Sequence, residues 1–462
     1  MAGERTADVV ICGAGIAGVS AAYVLAVDHG LKNVVIVDDR PPLTLTSDKS
    51  TEAYRNWWPG PGDTMVSFMN RSIDRLEALA GESDNFFHLN RRGYVYLTAN
   101  PDHARQIESA SREISHLGAG PLRIHTGTVS ADYQLSPAHD YRRQPVGADL
   151  LANPELIQQY FPYIAPDAVS LVHARRCGWL SAQQLGMYLL DQARRHGVQL
   201  LSGRVCGIEH DGGMVTGVHV AENGSTHTIA TARFVNAAGP LLREVGQLLD
   251  LSLPVFNELH GKIAFEDPLG VIPRDAPLMI WDDPLHLPWD EAEREELAAF
   301  EDTAWLLDEF PAGLHFRPEG GPGSQTILAL WPYHIDTFER PTWPLQFEPE
   351  FVEVIFRGLA RMVPGMAVYQ DRLSKPWIDG GYYCKTRENR PLIGPLPVDG
   401  AFIFGALSGY GIMAAMAGAE LLAAHVVGDD LPAYAPAFVL ARYEDPDYLE
   451  LLATVDATHG QL

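Results

Sequence analysis

A glycine-rich turn near the start of the chain, Gly13-x-Gly15-x-x-Gly18, restricts the fold more than any other feature. Its first two glycines end the segment ADVVICGAG, which begins as an apolar run. The helical pattern IAGVSAAYVLAVDHG comes next, and a second apolar run, NVVIVDD, follows it. Glycines at this spacing permit a tight turn, close approach of a pyrophosphate and close helix–strand packing. The spacing therefore predicts a βαβ unit that binds a dinucleotide through Gly13, Ala14, Gly15, Ile16, Ala17 and Gly18.

The second strand of this unit ends in acidic residues. Asp38 stands at the position from which a carboxylate accepts a hydrogen bond from a ribose hydroxyl, and Asp39 and Arg40 follow it. We therefore expect residues 38–40 to contact the dinucleotide as well.

Two later small-residue turns indicate that the dinucleotide is FAD. Each follows a buried-strand pattern, and the second precedes a helix whose first amides would face electron-rich oxygens. No second G-x-G-x-x-G motif is present, although an enzyme that takes electrons from NAD(P)H in its own nicotinamide domain would need one. The residues expected to touch FAD in these turns are Ala237, Ala238, Gly239, Gly405, Ser408, Gly409, Tyr410, Gly411 and Ile412.

Charge and composition exclude several classes of function. The net charge of −25 argues against a nucleic-acid partner, which requires a basic face. No uninterrupted apolar run is long enough to predict a membrane span. The four cysteines lie far apart without metal-binding spacing, so we expect no metal site, no disulfide framework and a cytoplasmic location. The sequence does not indicate an oligomeric state.

The order of patterns predicts two interleaved domains of an α/β chain. Strand–helix patterns typical of a Rossmann-like unit occur at 1–84, 169–251 and 372–462. Mixed and strand-rich patterns occur at 85–168 and 252–371. We expect the first set to form a discontinuous FAD-binding domain and the second set to form a substrate domain.

Several motifs together resemble the D-amino-acid oxidase superfamily of flavoproteins, which includes glycine and sarcosine oxidases, dimethylglycine dehydrogenases and dye-linked proline dehydrogenases. They are GAGIAG, the segment from Ser50-Thr51 to Arg55, VNAAGP, and RPLIG followed by GALSGYGI. The resemblance implies an antiparallel or mixed sheet lying over the flavin. It also implies oxidation of the C–N bond of an amine or amino acid, of the secondary, N-methyl or D-amino acid type, to an imine by hydride transfer to flavin N5. Either O2 or an electron carrier would reoxidise the flavin, and Ser50, Thr51 and Val205 would add FAD contacts.

Departures from the superfamily pattern change two expectations. The cysteine that holds FAD covalently in some relatives is replaced by Gly381, with Cys384 three residues on, and residues 44–58 contain no histidine for such a bond. We therefore expect noncovalent FAD. Two usual carboxylate anchors are replaced by Tyr383 and Met413, which predicts a substrate that is bulkier than glycine or sarcosine or less dependent on a carboxylate.

The tandem-tryptophan segment STEAYRNWWPG supplies the remaining substrate candidates. Arg55 aligns with an arginine that binds the substrate carboxylate in relatives, and a guanidinium is suited to that task. The alternatives for Arg55 are an ion pair with Glu52 or a phosphate contact. Trp57 and Trp58 would form an aromatic wall or pack in the core, and because neighbouring residues often point oppositely, we expect only one at the site.

The strand pattern ELHGKIAF places His260 and Lys262 on one face, so either residue would line the flavin or belong to a surface pair. Tyr382 and Tyr383 are further candidates, and the catalytic set is Arg55, His260, Lys262 and Tyr383. Two other functions remain open. One is oxidation of a 2-hydroxy acid, with His260 as the base, and the other is a flavin-containing assembly protein without turnover.

Overall fold

The computed structural model describes residues 5–130, 132–321, 323–370 and 375–454. The helices are α1 (Ile16–Tyr23), α2 (Thr64–Glu82), α3 (Pro101–Ile114), α4 (Pro154–Tyr160), α5 (Ala182–Arg195), α6 (Leu242–Gln247), α7 (Glu291–Ala298), α8 (Phe351–Met362), α9 (Gly411–Val427) and α10 (Pro446–Leu452). The strands are β1 (Arg5–Thr6), β2 (Val9–Cys12), β3 (Val34–Asp38), β4 (Ala53–Arg55), β5 (Tyr94–Thr98), β6 (Leu122–His125), β7 (Ala148–Leu151), β8 (Ser170–Ala174), β9 (Cys177–Trp179), β10 (Gln199–Ser202), β11 (Arg204–Asp211), β12 (Met214–Glu222), β13 (Ser225–Ala230), β14 (Phe234–Asn236), β15 (Phe256–Glu266), β16 (Leu278–Trp281), β17 (Leu285–His286), β18 (Glu309–Phe310), β19 (Leu314–Pro318), β20 (Thr326–Leu330), β21 (Thr337–Phe338), β22 (Trp377–Lys385), β23 (Leu392–Pro395) and β24 (Ala401–Gly405).

The glycine-rich turn lies in a six-stranded sheet with the order β10-β3-β2-β14-β24-β23. Strand β2 pairs in parallel with both β3 and β14, and all four of its residues are buried. Continuous apolar runs of this kind are typical of parallel strands covered on both faces. The predicted βαβ unit is therefore present, with α1 as its crossover helix.

A ten-stranded mixed sheet forms the second large layer, and it confirms the predicted antiparallel or mixed sheet. Two of its strands come from ranges that the sequence patterns place in the FAD-binding domain. Strand β8 pairs with β5 and β7, and β22 pairs along β15. Pairing between segments distant in sequence, which local patterns do not show, brings them there. The predicted boundary between 371 and 372 falls outside the described residues.

Along the chain, strand β4 lies between β3 of the six-stranded sheet and β5 of the ten-stranded sheet. It pairs with β9 as a separate two-stranded ribbon, and Arg55 is paired with Cys177 at its end. All three residues of β4 are buried. Arg55 is thus a buried charged residue, which is typical of a binding or catalytic site. Within the described ranges, no helix combines the length and apolarity needed to cross a bilayer.

Candidate active site

A large cavity begins at the glycine-rich turn and extends to the ten-stranded sheet. It contains about 820 Å³ of space free of protein atoms. We call it the cofactor cavity. Its walls include these residues expected to touch FAD: Gly13, Gly15, Ile16, Ala17, Asp38, Arg40, Ser50, Ala237, Ala238, Gly239, Gly405, Ser408, Gly409, Gly411 and Ile412.

The geometry of the turn explains why its glycines are required. Gly13 has a φ of +110°, and a Cβ there would overlap the carbonyl of Ala237 on the neighbouring strand. A Cβ at Gly18 would overlap the carbonyl oxygen of Gly13. Asp38 stabilises the turn, since its carboxylate accepts hydrogen bonds from the amides of Ala14 (2.7 Å) and Arg40 (2.9 Å). Burial raises the pKa of Asp38.

The loop before α9 bends towards the same cavity. Ala406 and Ser408 have φ values of +53° and +48°, a left-handed conformation that is costly for residues with a side chain. A Cβ on Gly409 would overlap the ring of Tyr383. The loop thus brings backbone close to the cavity, and the first residues of the 17-residue helix α9 line it. A helix N-terminus of this kind favours electron-rich oxygens.

Six of the residues expected to touch FAD are not on the walls of this cavity: Ala14, Gly18, Asp39, Thr51, Val205 and Tyr410. Ala14 and Gly18 are buried residues of the turn and the start of α1, and Asp39 is exposed. Val205 belongs to β11 and packs in the core of the sheet β1-β13-β12-β11. The sequence patterns missed the segment 43–47, which follows β3 and lines the cavity. Its Ser47 hydroxyl accepts a hydrogen bond (2.9 Å) from the amide of Ile16 at the start of α1.

Cys384, the cysteine nearest in sequence to the position that holds FAD covalently in some relatives, lies on the wall of the cofactor cavity. Burial is the main cause that raises the pKa of its thiol to about 12. The thiolate is the nucleophilic form of cysteine, so this environment suppresses the reaction. We expect FAD to separate from the denatured protein, and absorption of the acid-precipitated pellet checks this. Yellow colour remaining in the pellet, and lost in Cys384→Ser, would contradict it.

A smaller cavity of about 540 Å³ adjoins the cofactor cavity and shares four of its wall residues, Ser50, Tyr383, Ser408 and Gly409. We call it the inner cavity. Its other wall residues are Thr51, Ala53, Arg55, Trp58, Tyr94, His260, His315, Leu330, Pro332, Tyr410 and Met413. A molecule here would lie against whatever occupies the shared wall. This arrangement suits a substrate next to a flavin ring.

Arg55 provides positive charge in the inner cavity. Its side chain is buried, and one guanidinium nitrogen donates a hydrogen bond to the Tyr96 hydroxyl at 2.7 Å. Its guanidinium carbon lies 4.6 Å from the ring centroid of Trp58. No carboxylate is among the described residues of the cavity wall. The carboxylate of Glu52, the alternative partner, accepts a hydrogen bond from the Ala182 amide at 2.9 Å.

The two tryptophans of the tandem pair take different positions. Trp58 lines the inner cavity and packs edge-on against Tyr410, with ring centroids 5.1 Å apart. Trp57 is buried in the apolar core and does not reach the walls of either cavity. Adjacent residues in extended backbone point to opposite sides, which accounts for the difference.

Phenylalanine at each tryptophan provides a matched pair of variants. Trp58→Phe is expected to raise KM about 5- to 20-fold, since a cation–π contact and part of the cavity wall are lost. Trp57→Phe is expected to leave KM unchanged and to lower the stability by about 1–2 kcal/mol, because it leaves a void in the core. Steady-state kinetics and thermal melts check both results. Equal changes of KM in the two variants would contradict the assignment.

His260 lies between the inner cavity and a buried ion pair. Its Nε2 is 3.1 Å from the carboxylate of Glu258, which is also 2.9 Å from the ammonium of Lys385. Its ring stacks on Tyr383 at 4.1 Å. Burial lowers the pKa of His260. The carboxylate beside Nε2 favours the neutral tautomer that carries its proton on Nε2.

A second histidine of the inner cavity was missed by the sequence patterns. Nδ1 of His315 donates to the carbonyl of Gly313 at 2.8 Å, and burial lowers its pKa to about 4. Tyr94, Leu330 and Pro332 were also missed. These residues come from β5, β19, and the end of β20 and the segment after it. Only their juxtaposition in the folded sheet marks them, so no local motif reveals them.

Two residues expected to bind substrate or to take part in catalysis do not line the inner cavity, although Tyr382 lines the cofactor cavity. The Tyr382 ring projects from the side of β22 opposite to Tyr383, and its hydroxyl accepts a hydrogen bond from the amide of Thr342 at 3.1 Å. The ammonium of Lys262 donates to the carbonyls of Asp48 (2.7 Å) and Ser50 (3.2 Å). Lys262 thus supports the segment that carries Ser50 and lies on neither cavity wall. Alternation along strands explains the Tyr382 position.

Comparisons with known proteins agree with this geometry. Rat (Rattus norvegicus) mitochondrial dimethylglycine dehydrogenase is 23% identical over 332 residues, 71% of this chain but only 32% of that protein. The chain thus spans about a third of the length of this curated relative. L-proline dehydrogenase from P. horikoshii is 18% identical with a TM-score of 0.71, covering 96% of this chain and 98% of the other. Glycine oxidase from Geobacillus kaustophilus is 16% identical with a TM-score of 0.71, covering 95% and 99%.

The residues present fit FAD: glycines leave room for a pyrophosphate at one end of the cavity, and strained backbone approaches its other end. The family model that matches the chain is described as FAD dependent oxidoreductase and covers residues 8–425, nearly the whole of the described structure. The chain therefore belongs to the FAD dependent oxidoreductase family, and its cofactor is FAD.

Proposed function

We propose that the protein oxidises the C–N bond of an amino acid, with a secondary or N-alkylated amine as the preferred class, to an imine that water then hydrolyses. FAD supplies the redox chemistry, by accepting a hydride from the carbon next to nitrogen. The names of the similar proteins, which act on dimethylglycine, proline and glycine, support this class. The residues of the chain bind the substrate, orient its C–H bond and accept one proton from it.

One observation carries the proposal: a buried arginine faces an aromatic cavity that shares a wall with the cofactor cavity. Arg55 is suited to hold a carboxylate, while Trp58 and Tyr383 restrict where the rest of the molecule can lie. Binding a carboxylate at a fixed point holds the adjacent C–H bond near the shared wall. A volume of about 540 Å³ supports a substrate larger than glycine.

The inner cavity also favours the reactive, neutral form of the amine. Burial among aromatic rings disfavours an ammonium, and so does the nearby positive charge of Arg55. No carboxylate is present among the described wall residues to stabilise it. His260, held through Nε2 by Glu258, is a titratable group of the wall that can take up the ammonium proton.

Turnover of a substrate panel tests the proposal. N-methyl, cyclic secondary and D-amino acids would be compared, in air and with an artificial electron acceptor, by measuring the carbonyl and amine products. We expect secondary amino acids bulkier than sarcosine to turn over fastest, and glycine and sarcosine to be poor substrates. Turnover in air alone would identify O2 as the acceptor. Fastest turnover of glycine or sarcosine would refute the bulkier class.

The Glu258–His260 pair favours a second candidate, oxidation of a 2-hydroxy acid. That reaction must remove a hydroxyl proton, and a histidine oriented by a carboxylate is suited to this. His260→Gln separates the two candidates. An amine substrate can lose its proton to water and should retain most of its rate at high pH, whereas a hydroxy acid should lose about 100-fold or more at every pH.

A further inference from the structure

A third cavity, of about 500 Å³, lies on the outer side of the ten-stranded sheet, next to β15. We call it the outer cavity. Its floor is formed by Leu259, His260 and Gly261, and its rim includes the exposed residues His334, Asp336 and Gln346. It shares His260 and Pro332 with the inner cavity. Those two residues are all that the described walls have in common.

The outer cavity coincides with an interruption in the sheet. One edge of β15 pairs with β20 at residues 262–266 and with β21 at residues 257–258. Residues 259–261 lie between these two partners. Continuing the register from the Lys262–Leu330 pair would place Pro332 opposite His260, and proline has no amide hydrogen to donate. The chain from 331 to 336 therefore leaves the sheet, and the outer cavity lies in the gap.

The inner cavity is closed in other directions. Every described residue of its wall is buried except Gly409 and Pro332. Gly409 also lines the cofactor cavity, so a bound flavin covers that side. Pro332 also lines the outer cavity. With a flavin bound, Pro332 is therefore the one described residue of the wall that stays partly exposed. It lies at the gap in the sheet.

We propose that small molecules enter and leave the inner cavity through this gap, past His260 and Pro332, with the outer cavity as the entrance. The proposal rests on the proposed function in so far as Arg55 binds carboxylates in the inner cavity. His260 therefore lies both at the reaction site and at the point of passage. A group attached at the rim should slow passage without changing the site itself.

Benzoate is a suitable probe, because it has a carboxylate for Arg55 and no C–N bond to oxidise. Its binding to the FAD-loaded protein would be followed by the change of flavin absorption after rapid mixing. Cysteine would be introduced as Asp336→Cys and coupled to a bulky maleimide, in a Cys206→Ser background, since Cys206 is exposed and the other three cysteines are buried. One control is the same maleimide at Asp211→Cys, at the exposed end of β11. The other is a small methyl disulfide label at position 336.

We expect the bulky label at position 336 to lower the association and dissociation rate constants together, by about 10-fold or more, and to leave Kd unchanged. A barrier on the route changes both rates equally, whereas a damaged site changes Kd. Unchanged rates with the bulky label, or a higher Kd with an unchanged dissociation rate, would overturn the proposal. If the protein does not oxidise amines, the substrate panel will show it. The association and dissociation rate constants of benzoate do not depend on that result.

Discussion

Replacing Arg55 with methionine is expected to raise KM for a carboxylate substrate about 100-fold or more, while FAD stays bound. Methionine keeps the length and apolar contacts of the side chain against Trp58 but removes the charge. Losing one partner of a buried, charge-assisted pair costs about 2–5 kcal/mol, and each 1.4 kcal/mol is a factor of about ten. Steady-state kinetics and the flavin-to-protein ratio measure the two effects.

The lysine variant and a distant arginine serve as controls. Arg55→Lys keeps the charge without the bidentate fork, so we expect a KM between the wild-type and methionine values. Arg71 is partly exposed and pairs with Glu420 away from both cavities, so Arg71→Met should leave KM unchanged. Loss of FAD from Arg55→Met would show that the arginine supports the cofactor cavity instead. An unchanged KM would remove it from substrate binding.

Gly18→Ala is expected to abolish FAD binding or to prevent folding. Its Cβ would overlap the carbonyl oxygen of Gly13, which is backbone and cannot move aside without opening the turn. Overpacking of this kind costs about 3 kcal/mol, and here the strain falls on the turn that faces the cofactor. Flavin content after purification and a thermal melt measure the result.

Two further glycine variants distinguish a lost site from a lost fold. A Cβ at Gly15 would lie 3.3 Å from the Ser47 hydroxyl oxygen, a tight but tolerable contact. Gly15→Ala should therefore fold and bind FAD more weakly, in titrations of the apoprotein. Gly321 has no neighbour within 4 Å, so Gly321→Ala should behave as the wild type. Full FAD content in Gly18→Ala would contradict the dinucleotide-binding role of the turn.

Local sequence patterns predict the nucleotide-binding unit well, for physical reasons. β2, the turn, α1 and β3 follow one another in the chain, and each has a local signature in apolar runs and glycines. Helix α2 begins next to Asp63, as a capping residue would suggest, but its side chain makes no capping hydrogen bond. The pairing of β8 and β22 with strands of the ten-stranded sheet is not visible in local patterns. Their partners are distant in sequence, and pairing depends on the whole sheet.

The site was predictable only in part. Motifs identified Arg55, Trp58, Tyr383 and Met413, all of which line the inner cavity. His315 was missed because a lone histidine in a strand has no signature, and its position depends on pairing with Leu330. The role of Lys262 was also hidden, because its backbone acceptors at 48 and 50 lie far away in sequence. Side-chain direction and long-range pairing supply what local patterns lack.

Anaerobic mixing of the FAD-loaded protein with matched substrates tests the proposed amine oxidation most directly. A secondary amino acid and the 2-hydroxy acid of the same carbon skeleton would be compared by the loss of visible flavin absorption in a single turnover. We expect rapid and complete loss with the amino acid, slow or no loss with the hydroxy acid, and a much slower reaction of Arg55→Met at low substrate concentration. Faster loss with the hydroxy acid, or none with any amino acid, would contradict C–N oxidation.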